Sequence, residues 1–152
     1  MTIIRPGDKR FVTHMDEGSI FLAGPTLRNS DHDTPWRVEA VGALENFGFH
    51  GALFIPEPFI KDYREQVRWE HRALAFVSCI AFWIPRDLET LPGFTTNVEF
   101  GMYYQDPRTL VGWPKNAPKT RYLEHCMGPA RGVADNVWQL MKWAALQARM
   151  AE

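Results

Sequence analysis

The chain has 152 residues, of which 45% are hydrophobic and 23% charged, and its formal net charge is −1. This length and composition are typical of one globular domain with a sizeable core and argue against a disordered chain. The near-neutral charge gives no electrostatic reason to expect a nucleic acid polymer or a membrane surface as partner, and no apolar run approaches the roughly 20 residues of a membrane span.

Apolar runs that end in glycine or proline alternate with helical patterns along the chain. Such runs are typical of buried strands, and their breakers mark the loops that follow. In chain order, the predicted elements are a strand at Ser19–Pro25, a helix at Pro35–Phe47, a strand at His50–Pro58, a helix at Tyr63–Phe76, a strand at Cys79–Pro85, a helix at Thr95–Tyr104, a strand at Thr109–Pro114, a helical turn at Arg121–Cys126 and a helix at Val133–Arg149. The first eighteen residues can add an edge strand around Arg10–Met15.

This alternation predicts an α/β fold, a single domain over residues 1–152 with a parallel sheet of four to five strands and helices on both faces. The run at Cys79–Pro85 has no polar alternation, as expected of a central strand that is covered on both sides. In open parallel sheets, ligands bind beyond the carboxyl ends of the strands. We therefore expect functional residues in the loops after the first three predicted strands.

The cysteines and the N-terminal segment bear on the compartment. Cys79 and Cys126 are the two cysteines of the chain and lack metal or redox spacing. Residues 1–19 lack the long apolar region of a signal peptide. We expect reduced thiols and a cytoplasmic location.

Several familiar catalytic motifs are absent from the sequence. It contains no GxGxxG, GxxxxGK[ST], GxSxG or HExxH pattern, which argues against dinucleotide, P-loop, serine-hydrolase and zincin chemistry. Asp31–Asp33 and His125–Cys126 could bind a cation, but a solvated loop and an incidental pair are the more common explanations. We expect neither a metal nor a cofactor.

Glu99 is a lone acid in the apolar context of "TTNVEFG". Thr95, Thr96 and Asn97 lie at the predicted helix start, where hydroxyls and unpaired N–H groups favour an anion. The helix dipole there would favour an ionised Glu99, which could attack an electrophilic carbon such as a sugar anomeric centre. The alternative is structural, because Thr96 and Glu99 also have the spacing of a capping box.

Other polar and aromatic residues near the predicted strand ends are further candidates. Glu70 could hold a base nitrogen or shuttle its proton, or it could be a surface acid beside His71 or Arg68. Arginines could contact an anion or base, and tryptophans could stack on a base, although solvated arginines and core tryptophans are more common. These candidates are Arg37, Arg86, Trp36, Trp69 and Trp83.

Four segments together resemble the nucleoside 2-deoxyribosyltransferase family, in particular its small single-domain bacterial and phage branch. They are "IFLAGP", "PWR", "WE" and "FWIPRDLETLPGFTTNVEFG", of which "TTNVEFG" is the most specific. The resemblance spans Ser19 to Trp113, about two-thirds of the chain.

This resemblance implies a flavodoxin-like doubly wound sheet, no cofactor and a homo-oligomer that acts on a nucleoside or nucleotide. It implies that Glu99 attacks the anomeric carbon, that a glycosyl-enzyme forms as the base leaves, and that a second base or water releases the sugar. Glu70 would contact the base and assist its protonation. The implied substrate contacts are Gly24, Pro25, Trp36, Arg37, Trp69, Trp83, Pro85, Arg86, Gly93, Phe94, Thr95, Thr96 and Asn97.

Departures from the family pattern leave two alternatives open. Phe21 stands where many of these transferases carry a tyrosine, and Gly93 stands where many carry an aspartate. A non-catalytic nucleotide-binding sensor is therefore one alternative. "PGFTTNVE" is also similar to the PGGxGTxxE signature of nucleoside 5'-monophosphate phosphoribohydrolases, with Phe94 in place of the second glycine, so an N-glycosidase of that kind is the other.

Overall fold

Strands and helices alternate along the chain. The computed structural model describes residues 1–8, 18–27 and 32–150. The strands are Thr2–Ile4 (β1), Ser19–Ala23 (β2), Ala52–Phe54 (β3), Cys79–Trp83 (β4), Thr109–Gly112 (β5) and Val133–Ala134 (β6). The helices are Pro35–Asn46 (α1), Tyr63–Phe76 (α2), Phe94–Tyr103 (α3), Arg121–Met127 (α4) and Val137–Met150 (α5).

The strands form one parallel sheet in the order β1-β3-β2-β4-β5-β6. Apart from β1 at the edge, this is the strand order of flavodoxin-like doubly wound folds. The predicted α/β class with a parallel sheet is confirmed, but the sheet has six strands in the described residues and not four to five.

The additional strand β6 comes from a segment that we predicted to be helical. Val133 and Ala134 pair with Val111 and Gly112, and α5 begins only at Val137. Asn136 Oδ1 accepts a hydrogen bond from the Gln139 N–H at 2.8 Å, and the Gln139 side chain accepts one from the Asp135 N–H at 2.8 Å. This reciprocal pair resembles a capping box and explains the late start of the helix.

The edge strand lies at a different place from the predicted one. The structure forms β1 at Thr2–Ile4, which pairs with Ala52–Phe54. The segment Arg10–Met15, where we predicted it, lies outside the described residues.

The core has two layers, one on each face of the sheet. Every residue of β2 and β4 is buried, as their continuous apolar runs predict. Cys79, Ala81 and Trp83 contribute to the layer that packs on α1 and α5, and Ile80 and Phe82 contribute to the opposite layer. In the described part of the chain, no helix combines the length and apolarity needed to cross a bilayer.

This arrangement creates a crevice between β2 and β4. The two strands are neighbours, but α1, which follows β2, contributes to one core layer, while α3, which follows β4, contributes to the other. The loops at their carboxyl ends therefore diverge, and such a divergence is where open α/β sheets bind ligands.

Candidate active site

A cavity of about 620 Å³ occupies this crevice. Its volume is in the range of small-molecule sites. Its walls come from the loops after β2, β3 and β4, from one face of α2 and from the first turns of α3. The predicted site residues among its lining are Gly24, Pro25, Glu70, Gly93, Phe94, Thr95, Thr96 and Glu99.

The start of α3 decides between the two interpretations of Thr96 and Glu99. The N-cap is Gly93, with the left-handed dihedrals φ 67° and ψ 40°, so Thr96 lies inside the helix and is buried. Thr96 therefore cannot cap the helix, and the capping-box alternative is wrong. The first backbone bond of the helix runs from the Asn97 N–H to the Gly93 carbonyl, so the preceding N–H groups have no partner within the helix.

The carboxyl of Glu99 is half-buried on the cavity wall and makes no hydrogen bond or ion pair to another described residue. Burial raises its pKa from 4.5 to about 7, the negative charge of Glu70 adds to this effect, and the positive charge of Arg37 opposes it. We expected the helix dipole to favour the ionised form, and that expectation is corrected because desolvation has the larger effect. At neutral pH, the protonated and ionised forms of Glu99 are both populated.

Glu70 lies on the face of α2 that lines the same cavity. Its Oε1 accepts a hydrogen bond of 2.7 Å from Gln66 Nε2. Gln66 is itself fixed, since its Nε2 donates to the Pro56 carbonyl and its Oε1 accepts from the Ile60 N–H, both at 3.2 Å. Burial raises the pKa of Glu70, while the Gln66 hydrogen bond and the charges of Arg37 and His71 lower it. Burial has the largest effect, so the pKa of Glu70 is raised overall.

The loop after β2 approaches the sheet closely. A Cβ atom at Gly24 would lie 2.2 Å from the Trp83 carbonyl oxygen and 2.8 Å from the Trp36 ring. The Trp36 indole donates a 2.9 Å hydrogen bond to the Pro25 carbonyl. Gly24 and Pro25 therefore shape the wall of the cavity through backbone packing.

We predict that Gly24→Ala destabilises the protein by about 3 kcal/mol, because the added methyl group meets backbone that cannot move aside. Gly42→Ala is the matched control, since nothing lies within 4 Å of the position of its Cβ in α1. It should stabilise the helix by about 0.5–1 kcal/mol. Urea unfolding measures both changes, and equal effects of the two substitutions would contradict the packing argument.

Seven predicted site residues do not line the cavity: Trp36, Arg37, Trp69, Trp83, Pro85, Arg86 and Asn97. Their positions have physical causes. Trp36 and Trp83 are buried in one core layer, and Trp69 packs against the rings of Phe21 and Phe54 at centroid distances of 6.2 and 6.1 Å. Burial of such large apolar rings stabilises the core more than a place on an open wall would.

The arginines among these residues bind the protein itself. Arg86 is buried after β4 and donates to the Lys119 carbonyl at 2.9 Å and to the Asn97 side chain. Arg37 is fully buried and forms a 3.1 Å ion pair with Glu57. Both side chains connect loops near the carboxyl edge of the sheet.

The cavity also has lining residues that we did not predict: Phe21, Ala23, Thr26, Pro56, Phe59, Ile60, Lys61, Tyr63, Gln66, Val67, His71, Pro92, Val98 and Met102. Two signals could have found many of them. The strand-end rule includes the loop after β3. Helical periodicity puts Tyr63, Val67 and Glu70 on one face of α2, and Val98 and Met102 on one face of α3.

The described residues contain no cluster of potential metal ligands. Within residues 1–8, 18–27 and 32–150, no group of three or more His, Cys, Asp or Glu side chains is placed to hold a metal ion. Of the segment Asp31–Asp33, Asp31 lies outside the described residues, and Asp33 pairs with Arg5 at 2.6 Å. In the pair His125–Cys126, Cys126 is a half-buried free thiol.

A family model described as "Nucleoside 2-deoxyribosyltransferase like" matches residues 17–117. The chain belongs to the nucleoside 2-deoxyribosyltransferase-like family. The matched span is about two-thirds of the chain and includes every residue of the cavity lining. A comparison with curated proteins finds no match. The resemblance predicted from the sequence is thus confirmed, and membership of this nucleoside 2-deoxyribosyltransferase-like family supports glycosyl transfer at nucleosides in general.

Proposed function

We propose that the protein cleaves or transfers the N-glycosidic bond of a (deoxy)nucleoside or nucleotide through a glycosyl-enzyme intermediate on Glu99. The observation that carries this proposal is that two carboxyl groups with raised pKa values, Glu99 and Glu70, line one cavity at the carboxyl ends of β2 and β4. Retaining glycosyl transfer commonly uses two carboxyl groups at one site, one as nucleophile and one as acid.

In the first step, the ionised Glu99 carboxylate attacks the anomeric carbon. The bond between this carbon and the base nitrogen breaks, its electron pair stays with the base, and protonated Glu70 donates a proton to the departing base. In the second step, water or another base attacks the anomeric carbon, Glu70 takes up the proton, and the Glu99 carboxylate is regenerated. Atoms and charges balance over the two steps.

Burial raises the pKa of both carboxyl groups, which favours a proton on the pair. Since ionised Glu70 raises the pKa of Glu99 further, the free cavity holds this proton on Glu99, and the first step requires its transfer to Glu70. The Gln66 hydrogen bond occupies Oε1 of Glu70. The second oxygen of Glu70 has no partner among the described residues and is left to exchange a proton with the base.

The aromatic part of the lining supports a flat substrate group. Phe59, Tyr63 and Phe94 line the cavity and are largely exposed. Exposed aromatic rings at a cavity provide faces on which a base can stack. We propose these rings as base contacts, while Trp36 and Trp83 support the loops from within the core.

The start of α3 supports a binding place for sugar or phosphate oxygens. The N–H groups of Phe94, Thr95 and Thr96 precede the first helical bond, and the Thr95 and Thr96 side chains line the cavity. Lys61 adds a cation to the same cavity. These features favour the 5'-monophosphate N-glycosidase as a second candidate function, since a phosphate would use the same donors.

We also propose a homo-oligomer. Phe94, Val98 and Met102 follow a helical spacing on α3 and are 71%, 64% and 57% exposed. These residues line the cavity, and such an apolar stripe on its wall supports burial against another copy of the chain that would close the cavity. The cytoplasmic location stays a prediction.

The test is incubation of the protein with deoxynucleosides, ribonucleosides and their 5'-monophosphates, followed by chromatography of the free base. We expect base release from at least one class, and a new nucleoside when a second base is added to a transferase. Release from monophosphates alone would favour the second candidate. Binding of a nucleotide without any base release would contradict the proposed enzymatic activity and favour the non-catalytic nucleotide-binding sensor.

A further inference from the structure

Arg37 lies beneath the cavity and is connected to its wall. The side chain has no exposed surface and does not belong to the cavity lining. Its Nη2 donates to the Gly24 carbonyl at 2.8 Å, and its Nη1 donates to Thr26 Oγ1 at 2.7 Å. Gly24 and Thr26 both line the cavity. Arg37 therefore contacts the wall from the side opposite to a substrate.

The guanidinium is fixed by its counter-ion. Glu57 Oε2 lies 3.1 Å from Arg37 Nη1 and also accepts a 2.8 Å hydrogen bond from the Thr34 hydroxyl. Glu57 Oε1 accepts a further hydrogen bond from the Thr34 N–H at 2.7 Å. The Trp36 ring lies 4.4 Å from the guanidinium carbon. Because its nitrogen atoms make hydrogen bonds and the face of its guanidinium group packs on Trp36, Arg37 is not available to bind a ligand.

The charge of Arg37 nevertheless acts on the cavity. It lowers the pKa of Glu99 and that of Glu70, against the effect of burial on both. Other charges face these carboxyl groups: His71 on α2 lowers the pKa of Glu70, and Lys61 lies on the wall after β3. Because Arg37 is buried, its field is screened less by water and salt than that of an exposed cation.

We propose that Arg37 is a positioning residue, which holds the wall formed by Gly24 and Thr26 and supplies a fixed positive charge behind both carboxyl groups. The effect of Arg37 on turnover rests on the proposed function, whereas its electrostatic effect on Glu99 and Glu70 does not. The proposal replaces the direct substrate contact that we predicted for Arg37 from the sequence.

The contact with Thr26 has a further consequence for the cavity. A threonine hydroxyl has one proton to donate and accepts through its lone pairs. Since Thr26 Oγ1 accepts from Arg37, and no other hydrogen bond links it to a described residue, its proton is left for donation to a ligand or water in the cavity. Arg37 thus sets the orientation of a donor on the wall.

The test is an NMR titration of the Glu99 side-chain carboxyl carbon, assigned by its loss in Glu99→Gln. Arg37→Lys keeps the positive charge, so the Glu99 midpoint should stay near that of the wild type, although lysine cannot reproduce the forked contacts. The double variant Arg37→Met/Glu57→Gln removes both charges without leaving either alone, and the midpoint should rise by about one pH unit. Arg37→Gln, whose amide can still donate to Glu57, provides a second neutral variant, and because it retains the Glu57 carboxylate its rise should be at least as large.

An unchanged or lowered Glu99 midpoint in a folded neutral variant would overturn the proposal. An equal rise in Arg37→Lys would also overturn it, because the cause would then be lost packing and not lost charge. The titration needs no turnover, so a protein that releases no base still gives a decisive result. Where base release is measurable, Arg37→Lys should lower kcat/KM while the pH of half-maximal activity stays the same.

Discussion

Glu99→Gln is expected to lower kcat/KM for base release by about 10³-fold or more, because the amide cannot form the glycosyl ester and no other described carboxyl group can take its place. Glu70, the second acid of the cavity, is held by Gln66 and is proposed to serve the base. Chromatography of the released base measures the effect. Glu45→Gln, at an exposed position near the end of α1, is the matched control and should keep wild-type activity. A Glu99→Gln variant that retains a tenth of that activity would contradict the assignment.

The same substitution should stabilise the folded protein at alkaline pH. The pKa of Glu99 is about 7 in the folded state and 4.5 without the fold, so the folded state binds more protons between these values. Ionised Glu99 therefore lowers the free energy of unfolding. This destabilising effect is complete well above pH 7 and disappears as the pH falls to 4.5. The free energy of unfolding of Glu99→Gln should exceed that of the wild type by up to about 3 kcal/mol at pH 8 and by little at pH 4.5. Urea unfolding at the two pH values measures this difference. A gain that does not depend on pH would contradict the origin of the raised pKa.

Glu57→Gln is expected to cost about 3–5 kcal/mol of stability, because it leaves the buried charge of Arg37 without its carboxylate. The side chains of this ion pair are 0% and 4% exposed. Such a loss is a large share of the roughly 5–15 kcal/mol that stabilise a domain. Asp33→Asn is the matched control, because the side chains of its 2.6 Å ion pair with Arg5 are each 30% exposed, and it should cost about 1 kcal/mol or less.

A double-mutant cycle separates charge from packing at this pair. Arg37→Met/Glu57→Gln should cost less than the sum of the two single substitutions, since neither charge is then left alone. Chemical denaturation of the four proteins gives the coupling energy. Costs that simply add would mean that Arg37 and Glu57 stabilise the protein independently.

Local sequence signals predicted the central elements well. The bounds of α2 were predicted as Tyr63–Phe76, and Asp62 accepts hydrogen bonds from the Arg64 and Glu65 N–H groups at its start. The strands β2 and β4 were visible as apolar runs that end in breakers. The strand β6 was missed because its two residues form a strand only through pairing with β5, which a local pattern does not contain.

The candidate site was only partly predictable, since its chemistry depends on long-range burial. The strand-end rule and the family motif pointed to Glu99 and to the loop after β4. The sequence around Arg37 does not predict its buried ion pair with Glu57, which is 20 positions away. The direction of the Glu99 pKa was wrong for the same reason: the dipole of α3 is local, whereas desolvation comes from residues of other elements.

A covalent intermediate on Glu99 is tested most directly by trapping it. A 2'-deoxy-2'-fluoroarabino nucleoside is suited to this, because fluorine beside the anomeric carbon destabilises the oxocarbenium-like transition states and slows release of the sugar. The protein is incubated with this compound, digested, and its peptides are analysed by mass spectrometry. We expect a fluorosugar adduct on Glu99 that Glu99→Gln lacks. An adduct on another residue, or continued base release with an unmodified Glu99, would contradict the account.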